Sequence, residues 1–158
     1  MKKVLLATIM LFSSSSFAEF NNDLIDGENI QGMLNVLKGF GYASLKSDEN
    51  GDPEIEARIQ GKPYRIIFYG CDADDLCNEV VFSAKYPLTA KFNDTNFVNE
   101  WNRVNRYGTA YIDKEKNTLN LTMSINLIGG VSAENFDNSV DIWKNVVAEF
   151  QIFLSSKE

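Results

Sequence analysis

The stretch Leu119-Asn120-Leu121-Thr122-Met123-Ser124-Ile125-Asn126-Leu127 alternates apolar and polar side chains without a break. Successive side chains on a strand point to opposite faces. This run therefore reads as a strand with one dry and one wet face, the habit of antiparallel sheets. Residues 109–112 precede it as its hairpin partner, with 113–117 as the loop. Further upstream, Ile55, Ala57 and Ile59 alternate with Glu54, Glu56, Arg58 and Gln60, residues 64–70 are apolar and aromatic, and Val80, Phe82, Ala84 and Tyr86 alternate with Val81, Ser83 and Lys85. Asn50-Gly51-Asp52-Pro53 has the composition of a turn.

Helices flank these strands. A helix start often carries an apolar residue before the cap, packed on one five positions later. Ile25-Asp26 with Ile30, Phe92-Asn93 with Phe97, and Val131-Ser132 with Phe136 all fit. In each case the middle residue is a side chain able to accept from an orphan backbone N–H. The first helix carries Ile30, Met33, Leu34 and Leu37 on one face and ends near Gly39; the second carries Phe97, Trp101 and Val104. The third carries Phe136, Val140, Trp143, Val147, Phe150 and Leu154 at helical spacing. The order is α-β-β-β-β-α-β-β-α: an α+β fold with an antiparallel sheet of five to six strands and three helices, not the strict β-α alternation of nucleotide-binding folds.

The chain has 158 residues, 15 Lys and Arg against 22 Asp and Glu, no His and two Cys, for a formal charge of −7. This acidity disfavours nucleic acid, which needs a basic footprint. Without His, the commonest general base and metal ligand is missing, and two Cys alone cannot build a four-ligand zinc site. Lys2-Lys3, the apolar run 4–12 and the small residues Ser16 and Ala18 match a secretory signal, residues 1–18, cut after Ala18. The run is too short to span a bilayer. Cleavage removes two Lys and no acid, so the mature domain, residues 19–158, has 13 basic against 22 acidic side chains and a formal charge of −9. The expected location is the bacterial periplasm or the exterior, without stable membrane insertion.

In that compartment Cys71 and Cys77, bracketing Asp72-Ala73-Asp74-Asp75-Leu76, should form a structural disulfide. The spacing is not the Cys-x-x-Cys of thiol oxidoreductases. Asp72, Asp74 and Asp75 form an acidic turn; clustered carboxylates can bind calcium, but no loop Gly or bidentate Glu completes such a pattern. Gly129-Gly130 lies between a strand and a helix without the further glycines and Lys of a phosphate loop. Arg103 and Arg106, in Trp101-Asn102-x-x-Asn105-Arg106, read as surface charge or as polar contacts to a ligand. No Ser or Cys has a recognisable base, so no catalytic residue, metal or cofactor is assigned.

Placing Cys71 opposite Cys77 sets Phe68 against Val80, Ile67 against Val81 and Tyr69 against Glu79. An even loop at 60–63 sets Ile59 against Tyr64 and Arg58 against Arg65. Ile55, Ala57, Ile59, Tyr64, Ile66, Phe68, Val80 and Phe82 then share the core face. The opposite face carries Arg58, Arg65, Ile67, Tyr69 and Val81, with Glu56 adjoining. Opposed like charges cost stability unless an acid or a ligand offsets them, and apolar residues rimmed by charge mark interaction sites. These five residues are the candidate contacts for a partner or a second copy of the chain, unless a helix covers them or Glu56 satisfies both arginines.

Phe68-Tyr69-Gly70-Cys71, Cys77, Val80-x-Phe82-x-Ala84, Asn99-x-Trp101-Asn102-x-x-x-Arg106 with Asp113, Gly129-Gly130 and Trp143 resemble the YbjN family over roughly residues 25–153. The resemblance implies a fold like that of type III secretion chaperones and a role in bacterial sensory transduction; it brings no catalytic residues. The expected function is an exported, non-enzymatic binding or regulatory module for a protein or peptide. The alternative is an acidic inhibitor of a cationic hydrolase such as lysozyme, drawn to a basic enzyme by charge. An enzyme working through carboxylates ranks third.

Overall fold

The structure, a computed structural model, describes residues 24–49, 51–72 and 76–157. The expected signal segment, with its cleavage point after Ala18, lies outside them, as do Asp74 and Asp75 of the acidic turn. The elements run β1 (Leu24–Ile25), α1 (Ile30–Phe40), β2 (Ala43–Ser47), β3 (Pro53–Ile59), β4 (Lys62–Tyr69), β5 (Glu79–Pro87), α2 (Thr95–Val104), β6 (Thr109–Asp113), β7 (Thr118–Asn126), β8 (Val131–Ser132) and α3 (Ala133–Ser155). Six strands form one antiparallel sheet in the order β2-β3-β4-β5-β7-β6. The α+β order expected from the sequence is present, with two additions: β1 and β8 pair as a separate two-stranded sheet, Leu24 opposite Ser132 and Ile25 opposite Val131.

One face of the sheet is the core. Ile55, Ala57, Ile59, Tyr64, Ile66, Phe68, Val80, Phe82, Leu119 and Leu121 are all buried on it. The α3 stripe lies against them. Trp143 packs on Tyr64 and Phe82 with ring centroids at 6.0 and 5.8 Å, Phe136 packs on Phe82 at 6.2 Å, and Phe150 on Tyr86 at 5.2 Å. The helix begins where expected: the Ser132 side chain accepts from Asn135 N.

The other two helix starts differ from expectation. In α1 the cap is Asn29, whose side chain accepts from Gly32 N; Asp26 instead accepts from the N–H groups of Glu28 and Asn29 and so closes the turn that leads into the helix. In α2 the cap is Asp94, one residue later than expected, although Phe92 and Phe97 do pack, with centroids at 5.1 Å. Val104, expected on the buried face of α2, is exposed; Val98 is buried with Phe97 and Trp101. The helix ends at Val104, so no further turn of α2 continues over it.

The register of β4 and β5 is the one implied by the cysteines: Phe68 opposes Val80, Ile67 opposes Val81 and Tyr69 opposes Glu79. The structure joins Cys71 to Cys77 by a disulfide. The β3–β4 hairpin corrects the expected pairing. Its loop is two residues, Gln60 and Gly61, so Ile59 opposes Lys62, Arg58 opposes Pro63 and Arg65 opposes Glu56. Both loop residues have positive φ, 49° and 78°, as a type I′ turn requires. The pairing is shifted by an even number of residues, which preserves the face of every side chain.

Candidate binding face of the sheet

The face away from α1 and α3 carries no helix among the described residues. The ladder pairs place its side chains in rows. One row is Lys46, Glu54, Ile67, Val81 and Ser124; the next is Ser44, Glu56, Arg65, Ser83, Thr122 and Thr109. Arg58 is aligned with Pro63, and Lys85 with Asn120 and Tyr111. Ile67 and Val81 are half-buried cross-strand partners, whereas Tyr69 and Tyr111 are exposed.

Arg58 and Arg65 are thus on the same face, as expected, but not opposed. Arg65 donates two hydrogen bonds to Glu54, at 2.9 and 3.2 Å, across the diagonal of the β3–β4 ladder. Glu54 is buried, and this ion pair satisfies its carboxylate. The acid that meets Arg65 is therefore Glu54 and not the adjoining Glu56. Among the described residues the Arg58 guanidinium donates only to the Gly61 carbonyl, at 3.5 Å.

A groove of about 600 Å³ opens on this face, lined by Tyr42, Glu56, Arg58, Pro63, Tyr64, Arg65, Ser83 and Lys85. Burial, then the nearby positive charges of Arg65 and Lys116, hold the Lys85 ammonium below its ordinary pKa, against the opposing pull of Glu54 and Asp113. The sequence reading found Arg58 and Arg65 but missed Tyr42 and Lys85. Lys85 carried a signal: it shares the period-2 positions of Val81 and Ser83. Tyr42 carried none, since it precedes β2. Ile67, Tyr69 and Val81 lie on the same face but do not line the groove.

Two other sequence features are structural. The Asn102 side chain donates to the Ala110 carbonyl and accepts from the Ala110 N–H, Trp101 Nε1 donates to the Gly108 carbonyl, and Asn105 Nδ2 donates to the Trp101 carbonyl. The motif fastens α2 to β6. Arg103 and Arg106 are exposed, Arg106 lying 5.5 Å from the Tyr107 ring centroid. Around the disulfide, Asp72 and Leu76 close the ring on itself: Asp72 N donates to the Leu76 carbonyl, and Leu76 N donates to the Asp72 carboxylate. Among the described residues no three His, Cys, Asp or Glu side chains cluster as metal ligands, and no helix is long and apolar enough to cross a membrane.

No curated relative matches the chain. The crystal structure of YbjN from E. coli, described as a putative transcription regulator, is similar at a TM-score of 0.55 and 15% identity, covering 75% of this chain and 84% of that one. That likeness concerns the fold. A family model described as "YbjN: Putative bacterial sensory transduction regulator" matches residues 29–154, from the α1 cap to the last turn of α3, and so takes in both the helix-covered core and the open face. The chain belongs to the YbjN family.

Proposed function

We propose that this protein is an exported, non-enzymatic regulatory module that engages a protein or peptide partner through the open face of its sheet, with Arg58, Arg65, Ile67, Tyr69 and Val81 among the contacts. The observation that carries the reading is the asymmetry of the sheet. Helices cover the face that carries the core, while the other presents the half-buried apolar pair Ile67 and Val81 beside exposed tyrosines and cations. Exposed apolar side chains rimmed by charge are the usual composition of a recognition surface. The regulatory description of the family supports the same reading. Export rests on the N-terminal sequence and is compatible with the disulfide.

A photo-crosslinking side chain placed at Tyr69, and as a control at Ile152, which is exposed on α3, tests the face in cells. Adducts with a defined protein from position 69 and none from 152 are the expected result. Equal yields, or none from 69, overturn it. Intact mass of the periplasmic product should begin at Glu19; a full-length mass removes the export step. Inhibition of a cationic hydrolase is less well supported, because the groove on this face is itself cationic. Lysozyme that keeps its activity under excess protein at low salt disposes of that alternative.

A further inference from the structure

We propose that the groove on the open face binds an acidic peptide segment of the partner protein, its carboxylates held by Arg58, Arg65 and Lys85. The inference rests on the open face being the partner surface and specifies the chemistry of what lies on it.

The charge balance of the groove is opposite to that of the chain. In a protein of formal charge −7, the groove is lined by three cations and one acid, Glu56. Arg65 is partly neutralised by Glu54, but Arg58 and Lys85 have no ion-pair partner among the described residues. Lys85 already loses affinity for its proton through burial and through the charges of Arg65 and Lys116. Cations gathered in this way repel one another, and an arriving carboxylate relieves the repulsion while gaining charge-assisted hydrogen bonds. The groove volume of about 600 Å³ lies within the usual range for ligand sites.

Geometry selects an extended segment over a compact anion. Arg58, Arg65 and Lys85 stand on three successive strands, β3, β4 and β5. Strands are about 4.8 Å apart, and Arg58 lies in the row of Pro63 while Arg65 lies in the next, so the three charges are spread over the face across three strands. A phosphate needs its donors converging on a point, and Glu56 in the lining would repel a dianion. A peptide can instead place alternate acidic side chains over the cations and its apolar side chains on Tyr42 and Pro63.

The test is a titration of the isotopically labelled mature chain by NMR with the synthetic peptide Glu-Phe-Glu-Leu-Glu-Phe. Its Gln counterpart and inorganic phosphate serve as comparisons. The expected result is saturable shifts at Tyr42, Arg58, Arg65 and Lys85 with the Glu peptide only. The doubly reversed variant Arg58→Glu/Lys85→Glu, with its fold checked by its unperturbed core resonances, should bind about tenfold more weakly or worse. Lys38→Glu, on exposed α1, should change little. Equal binding of the Gln peptide, displacement by phosphate, an equal loss in Lys38→Glu, or self-association in place of peptide binding overturns the proposal. If Tyr69 still cross-links to a partner while the Glu peptide fails to bind, the open face stands and its assignment to an acidic segment falls.

Discussion

Asn102 hydrogen-bonds both backbone groups of Ala110: its Nδ2 donates to the carbonyl at 3.0 Å, and its Oδ1 accepts from the N–H at 2.8 Å. Ala110 lies in β6, the edge of the six-stranded sheet. The amide therefore occupies the place that a further strand would take, and it does so from α2. Exposed edges invite pairing with other chains; this one is blocked at the second of its five residues. Asn102→Leu leaves both backbone groups unpaired and should cost about 1–3 kcal/mol. It should also introduce concentration-dependent association, read by urea unfolding and by light scattering. A variant that stays monomeric and fully stable would show that the amide does not protect the edge.

Trp101 and Trp143 are both essentially buried, at 1% and 0% exposure, but only one has its indole N–H satisfied. Trp101 Nε1 donates to the Gly108 carbonyl at 2.9 Å, while Trp143 Nε1 has no acceptor among the described residues. Each Trp→Phe change loses similar volume, so the hydrogen bond decides the difference. Trp101→Phe strands the Gly108 carbonyl; Trp143→Phe removes an orphan donor. Denaturant titration should find Trp101→Phe the more destabilising by about 1–2 kcal/mol. The reverse order would show that packing around Trp143 on Tyr64 and Phe82 outweighs the bond.

How much of this was legible depended on what pins each element. The β4–β5 register could be read because Cys71 and Cys77 fix it, and α3 because its cap and apolar stripe agree. The β3–β4 register was misplaced by two residues because Gln60 adopts φ 49° in a turn where Asn or Asp is the usual signal. Face assignments survived because alternation constrains parity and not pairing. This is why Arg58 and Arg65 could be placed on the open face while the true partner of Arg65, Glu54, was missed. The β1–β8 pairing was invisible: strands of two residues each give no periodicity. Val104 was misassigned because helical spacing does not show where a neighbouring element stops.

Gly108 and Gly129 adopt almost the same backbone, φ 77° and 79°, yet their surroundings differ. A Cβ on Gly108 would lie 2.4 Å from Val146 Cγ1, whereas one on Gly129 meets nothing within 4 Å. Gly129→Ala should thus cost only the left-handed penalty, about 1–2 kcal/mol. Gly108→Ala adds overpacking of the α3 interface, about 1–3 kcal/mol more. Thermal melts of the two variants side by side measure the gap; equal losses would mean that Val146 yields freely.

Burial pushes the Tyr64 phenol well above its ordinary pKa of 10, and Tyr86 and Tyr111 are raised as well. A raised native pKa means that the unfolded chain gives up its proton first. Stability from these groups is complete below pH 10 and falls as pH rises from there towards the native values. The fold should therefore lose stability progressively on the alkaline side. Tyr64→Phe should flatten that loss in urea titrations at a series of pH values. An unchanged alkaline slope would show that Tyr64 ionises without unfolding.

The Cys71–Cys77 bridge closes a short loop, which in the chain-entropy model stabilises by about 2 kcal/mol. The strands beside it have ties of their own: Asn78 N donates to the Tyr69 carbonyl, Leu127 N donates to the Asn78 carbonyl, and Asp72 and Leu76 are doubly hydrogen-bonded. Gly27 packs so closely that a Cβ there would lie 2.1 Å from the Cys77 carbonyl oxygen, so the segment before α1 rests directly on the loop. Cys71→Ala/Cys77→Ala should accordingly lower the urea midpoint by the equivalent of about 2 kcal/mol and leave the sheet register intact. Nuclear Overhauser contacts between Phe68 and Val80 read that register. Gly27→Ala should cost at least as much with the disulfide present, because the obstacle is backbone and cannot rotate away. If the reduced protein loses the Phe68–Val80 contact, the disulfide determines the pairing of β4 and β5 and is more than an addition to it.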